Sequence, residues 1–182
     1  LATLDNDVRS AAVEGLGRTR SPMAIPPLEG ALDNRIPLVL GAVIKALGML
    51  GDPSVLPALQ NLIQSPDWPI RASVAEAFGE IGDAAVIPHL ERLLKDEDWH
   101  VRQAAVTALR AVGAESAMPL FAKGLEDDDW RVRAAAAKGL GGSNLAAATD
   151  LLEGHRKDED KRVGVAVAAA LLGLRRAGLV EQ

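Results

Sequence analysis

Apolar residues recur along this chain with two superimposed periods, one of helical spacing and one of 31 residues. The column that sets the register reads Val8, Val39, Ile70, Val101, Val132 and Val163, without insertion or deletion. Counted from that column, apolar residues fall at positions 0, +4, +7, +8 and +11, which is the spacing of one buried helix face. Position +7 is small throughout: Ala46, Ala77, Ala108 and Ala170, with Gly15 and Gly139. Position +8 is large: Leu16, Leu47, Phe78, Leu109, Leu140 and Leu171. Asp5, Asp67, Asp98, Asp129 and Asp160 stand three residues before the register column, where a carboxylate can accept from the amides of a first turn. Gly51, Gly82 and Gly113 follow the last apolar residue, where a left-handed residue ends a helix.

A second stripe precedes each of these stretches. Leu28, Leu59, Leu90, Phe121 and Leu152, with Leu32, Ile63, Leu94 and Leu125 four residues on, predict another buried helix face. Ser21-Pro22, Asp52-Pro53 and Asp83-Ala84 read as its cap and first turn. Pro26, Pro57, Pro88 and Pro119 lie one turn further in, where a missing amide delays the helix or kinks its start. Each unit therefore predicts two antiparallel helices of about three turns. Alanine in the packing columns lets helix axes approach toward the lower end of about 8–10 Å.

Such self-similarity is the signature of a repeat array, in which a unit packs on its neighbours and no central core forms. The phasing predicts one array over 1–182: a partial unit at 1–20, then 21–51, 52–82, 83–113, 114–144 and 145–182, the last a terminal cap or a truncation. Gly141-Gly142-Ser143-Asn144 predicts a loose turn inside it. Because Leu1 falls inside a unit, the chain reads as a fragment of a longer protein.

Composition narrows the chemistry. With two Phe, three Trp and no Tyr, the interior must be closely approached helices rather than large rings. A net charge of −5 argues against a nucleic-acid partner, which needs a basic face. The absence of cysteine excludes disulfides, thiolate nucleophiles and cysteine metal sites, and fits a reducing, cytoplasmic setting. No apolar run approaches the roughly 20 residues of a membrane helix. His89, His100 and His155 fall in different columns and make no ligand set for zinc. The runs Glu126 to Asp129 and Asp158 to Asp160 are contiguous and open helices, unlike a calcium loop with its alternating ligands and central glycine. Asp127, Asp128 and Asp158 exceed what capping needs, and predict an acidic edge able to attract a basic segment. No catalytic residue, metal or cofactor is expected.

Trp68, Trp99 and Trp130 share one column, two residues before the register. Their rings either staple neighbouring units together or stand as aromatic anchors for a partner.

Asp98-Trp99-His100-Val101-Arg102-Gln103-Ala104-Ala105-Val106-Thr107-Ala108-Leu109 and its counterparts resemble HEAT repeats, in particular the short HEAT-like repeat of phycobilisome (bilin) lyase subunits. The resemblance covers essentially the whole chain. It implies an all-α fold, an α-solenoid of the armadillo/HEAT superhelical type with about six 31-residue helix-hairpin repeats. It also implies that the second helix of each unit lines the concave face, and that Asp and Arg form a ladder between units. The ladder set is Asp67, Arg71, Asp98, Arg102, Asp129 and Arg133. Ile36 and Leu40 replace both kinds of partner in one unit, as expected where a lone half-buried charge would be costly.

The concave face would then present His100, Arg131 and Arg162 just before the register, Gln103 two residues after it, and Glu76, Thr107 and Lys138 six after it. These columns change character from unit to unit while the packing columns do not. The expected function is a non-enzymatic interaction or scaffolding module for a protein or peptide, one carrying a basic segment, rather than for nucleic acid or membrane. The resemblance alone implies the alternative, an accessory subunit of a bilin-lyase-type chromophore-attachment system.

Overall fold

In a computed structural model of the chain, described over residues 5–143 and 147–178, the described residues form eleven α-helices and no strand. They are α1 (Asn6–Arg18), α2 (Ile25–Glu29), α3 (Pro37–Leu50), α4 (Leu56–Gln60), α5 (Trp68–Ile81), α6 (Ile87–Leu93), α7 (Trp99–Ala108), α8 (Ala114–Leu125), α9 (Trp130–Gly141), α10 (Ala147–Gly154) and α11 (Lys161–Arg176). The odd-numbered helices are the stretches opened by the register column. The predicted boundary between 144 and 145, the loose turn at Asn144 and the chain ends at 1–4 and 179–182 lie outside the described residues.

Local chemistry explains the element lengths. Asp98, Asp129 and Asp160 accept from the amides of His100, Arg131 and Arg162 at 2.8, 2.8 and 2.9 Å, closing the first turns of α7, α9 and α11. Asp67 heads α5 without such a bond, because the residue two further on is Pro69 and has no amide to give. Gly51 and Gly82 end α3 and α5 with φ of 68° and 66°, a backbone region that side chains disfavour.

The even-numbered helices are shorter than three turns in the first half of the chain, contrary to the expectation. Pro22–Ala24, Pro53–Val55 and Ala84–Val86 form 3-10 turns, and the α-helical geometry starts one residue before Pro26, Pro57 and Pro88. A proline is readily accepted in the first helical turn and costly further in, so it delays the helix and leaves five residues in each of α2 and α4. α8 differs: it runs for twelve residues with Pro119 inside it.

The odd-numbered helices pack on one another in sequence, α1 on α3 through α9 on α11, whereas successive even-numbered helices barely meet. The odd-numbered helices thus form one close-packed layer, and its exposed side, the inner face, is the one expected from the sequence to be concave. A second glycine column sets the spacing. A β-carbon on Gly17, Gly48 or Gly141 would stand 2.7 Å from the Cα of Ala46, Ala77 or Ala170, and one on Gly79 would stand 3.0 Å from the Cα of Ala108. Backbones meet so closely there that no side chain fits between them. Behind this contact lie Val43, Leu47, Val74, Phe78, Val106, Leu109, Val132 and Leu140, all fully buried. The architecture is an all-α solenoid.

Candidate binding face

Three arginines hold successive units together. Arg71 donates through Nε and Nη2 to the two carboxylate oxygens of Asp96, both at 2.7 Å. Arg102 does the same to Asp127 at 2.7 and 2.9 Å, and Arg133 to Asp158 at 2.8 and 2.9 Å. The third nitrogen of each guanidinium turns back to its own unit: Arg71 to the Ser65 and Pro66 carbonyls, Arg102 to those of Asp96 and Glu97, Arg133 to those of Asp127 and Asp128. Each arginine thus ties the turn before its own helix to the turn of the next unit. Planar fork geometry suits both halves of that task, which a lysine could not perform.

The acid partners differ from those expected. Asp67, Asp98 and Asp129 head their helices, and the rungs use the residues two positions earlier in the next turn. The reason is reach: the capping carboxylate faces its own helix, whereas Asp96, Asp127 and Asp158 point back to the preceding unit while also accepting the amides of Asp98, Asp129 and Asp160 at 2.9, 2.9 and 2.8 Å. Asp127 and Asp158 are therefore buried ladder members and do not belong to a free acidic edge; Asp128 alone of that trio is exposed. The paired loss occurs at one rung and involves another residue than Ile36. An arginine at position 40 would face Ser65, so both partners are missing there, whereas Arg9 is kept although Asn34 stands at its acceptor position. Ser65 and Asn34 keep only the turn, accepting from the amides of Asp67 and Ile36 at 3.3 and 2.9 Å. Arg9 has a buried Nε without a partner among the described residues.

Electrostatics follow this geometry. Hydrogen bonding to Asp96, Asp127 and Asp158 raises Arg71, Arg102 and Arg133 above the ordinary arginine value, against the opposing effect of burial. The Arg133 guanidinium in turn holds the Asp158 carboxyl below its usual range. At the other column, Arg162 lowers Asp160 to about 2 through its side chain and its amide.

The tryptophans form one continuous stack with His100, Arg131 and Arg162, three of the residues expected on the concave face. His100 of α7 lies between Trp68 of α5, 4.2 Å between ring centroids, and its own neighbour Trp99, 3.5 Å away. Arg131 of α9 sits over Trp99 at 4.3 Å, and Arg162 of α11 over Trp130 at 3.5 Å. The capping aspartates steer these side chains: Asp98 contacts His100 Nδ1 at 2.9 Å, Asp129 takes Arg131 at 3.1 Å, and Asp160 takes Arg162 at 2.7 Å. The two guanidiniums bridge to the ring of the preceding helix, an attraction between positive charge and the π face. Trp68 is 39 % exposed, and Trp99 and Trp130 are half-buried against the core.

Glu76, Thr107 and Lys138 are exposed on the inner face and Gln103 is half-exposed beside them. Thr107, Lys138, Gln103 and Arg131 line a cleft of about 470 Å3 between α7 and α9, together with Trp99 and Trp130. Its origin lies in two residues that the hydrophobic pattern does not single out. Arg110 stands where Gly17, Gly48, Gly79 and Gly141 stand in other units, and Gly139 stands where alanine does. A side chain at that position cannot coexist with the usual backbone contact, so α7 and α9 touch over much less of their length than other neighbours. Phe121, larger than the leucines of its column, moves into the space: a β-carbon on Gly139 would stand 2.2 Å from its ring. A second cavity, about 460 Å3, lies on the other side of Arg110, bordered by Glu76, Glu80 and Phe121. The 31-residue glycine column was readable in the sequence; it breaks at Arg110 and at Leu172 of the last helix, and the interior break marks the cleft.

No helix among the described residues is long and apolar enough to cross a membrane. HEAT repeats match residues 1–77, 37–106, 57–129 and 92–174, which together span nearly the whole chain. Among solved structures, the chain is similar to the complex of CpcE and CpcF of phycocyanin lyase from Nostoc sp. PCC7120, with 27% identity, 90% of this chain and 70% of that chain covered, and a TM-score of 0.65. A designed armadillo repeat protein in complex with the peptide (KR)4 matches at 18% identity, 90% and 92% coverage and a TM-score of 0.61. An engineered protein matches at 19% identity, 99% and 95% coverage and a TM-score of 0.57. None of the curated proteins matches the chain. The chain belongs to the HEAT-repeat family and is related to the phycobilisome lyase subunits.

Proposed function

We propose that the chain is a single array of about six 31-residue units serving as an interaction module, which binds a peptide or protein on the inner face of its odd-numbered helices. One observation carries this reading. The columns that pack are uniform, while the inner-face positions Glu76, Gln103, Thr107 and Lys138 differ in charge and shape and meet at a cleft. Extended concave surfaces of stacked helices are suited to holding a chain segment. The complex of CpcE with CpcF and the peptide-bound designed repeat are protein or peptide assemblies on similar folds, in keeping with this reading. The net charge of −5 favours a protein partner over nucleic acid. A basic partner has lost much of its support, because Asp127 and Asp158 are neutralised in the ladder.

A photo-crosslinking amino acid at Thr107 should capture a partner from an extract of the source organism, and one at Arg92 on α6 should not. Adducts at Arg92 alone would refute the inner-face assignment.

The second reading, an accessory role in bilin attachment, is favoured by the similarity to phycocyanin lyase. It predicts a shifted and intensified visible band when the purified chain is mixed with a bilin. An unchanged spectrum would remove it.

A further inference from the structure

The cleft identifies the chemistry of the segment it takes, an inference that rests on the peptide-binding reading above. Its two cavities, about 460 and 470 Å3, share Thr107 and Arg110, and so form one groove across α5, α7 and α9. Charge is unevenly spread along it. Toward α9 the wall carries Arg110, Arg131 and Lys138 and no carboxylate. Toward α5 it carries Glu76 and Glu80. Arg131 is held by Asp129 at 3.1 Å, whereas no carboxylate of the described residues pairs with Arg110 or Lys138. In a chain of net charge −5 this is a local inversion of sign, on a stretch of the inner face where the backbones of α7 and α9 stand apart. Complementary potential orients a partner and excludes wrong ones. The remaining lining suits a peptide backbone between apolar walls: Gln103 and Thr107 supply an amide and a hydroxyl, Trp99 and Trp130 the ring surface.

We propose that this groove takes an extended peptide segment bearing Asp or Glu side chains, with carboxylates on Arg110 and Lys138 and none where it passes Glu76 and Glu80. A guanidinium facing open solvent can receive such a carboxylate through two parallel hydrogen bonds. Three helices about 10 Å apart span roughly 20 Å, the length of about six extended residues.

Panning a random octapeptide library on the purified chain tests this. Enriched sequences should be rich in Asp and Glu. A synthetic peptide from that set should lose at least about tenfold in affinity on Arg110→Glu and several-fold on Lys138→Glu, and none on Arg92→Glu. Changing its acidic residues to Lys or Arg should restore binding to the Arg110→Glu variant. Both inner-face positions are exposed, and circular dichroism melts will verify that the variants fold. Enrichment of basic or uncharged peptides, or binders indifferent to Arg110→Glu, would overturn the acidic-segment assignment while leaving peptide binding intact. If no enriched peptide responds to any inner-face substitution, both fall.

Discussion

Between α5 and α7, Gly79 lies so close to Ala108 that a β-carbon on it would stand 3.0 Å from the alanine Cα; between α7 and α9 the same two columns hold Arg110 and Gly139. Two other devices recur at both interfaces. Each has an arginine fork clamping the next turn, Arg71 on Asp96 in one and Arg102 on Asp127 in the other. Each has a cation stacked on a tryptophan or a ring on a ring, Trp68 with His100 and Trp99 with Arg131. The difference shows that separate devices do separate jobs. The ladder at the helix N-termini fixes how units are joined, and the glycine–alanine contact further along fixes how closely the helices lie. Because the devices are independent, one contact can open into a cleft without breaking the stack.

The largest expected effect tests the shared part of this comparison. Arg71→Ala and Arg102→Ala should each cost about 3–5 kcal/mol, since each leaves a buried carboxylate without its partner. Urea melts of both variants would check this. A much smaller loss for Arg102→Ala would mean that the ladder does not brace the open interface.

The unshared part gives a smaller contrast. Gly79→Ala should cost about 1–3 kcal/mol, because the new methyl meets backbone rather than a flexible side chain. Arg110→Ala, at the matching position of the next unit, should stay within about 0.5 kcal/mol, since its side chain is exposed. Equal losses in thermal melts would show that the two interfaces are spaced alike.

The comparison also explains what the sequence made legible. A 31-residue period with helical spacing inside it is visible because burial constrains every packing column in the same way, so helices, caps and the solenoid followed from Val8 to Val163 and from Asp98, Asp129 and Asp160. The rung partners were not legible. Asp96 and Asp98 lie two residues apart in one acidic run, and only the turn geometry decides which of them faces Arg71. The cleft was missed for another reason: a regular pattern draws attention to what repeats, and Arg110 is where a repeat fails. The short even-numbered helices were misjudged because hydrophobic spacing continues through a 3-10 turn as it does through an α-turn.

Acid should weaken the ladder before it weakens the core. Asp158 is held below the usual carboxylate range, chiefly by Arg133, so its contribution is complete above about pH 4 and is lost as pH falls through the lower folded value. Asp160, lowered to about 2, follows in the same direction. The melting temperature should therefore fall between about pH 4 and pH 2, and Arg133→Leu should flatten that decline. A wild-type melting temperature constant over this window would contradict the assignment.

The distance between the inner-face helices tests the central claim most directly. Glu76, Thr107 and Lys138 occupy one column on α5, α7 and α9, and the chain has no cysteine to interfere with labelling. Spin labels at Glu76 and Thr107, and in a second sample at Thr107 and Lys138, can be compared by dipolar broadening. The Thr107–Lys138 pair should be the more widely separated, and the triple change Arg110→Gly, Gly139→Ala, Phe121→Leu, which restores the consensus columns, should bring it to the Glu76–Thr107 value. Equal separations in the native chain would contradict the claim that Arg110 opens the solenoid there.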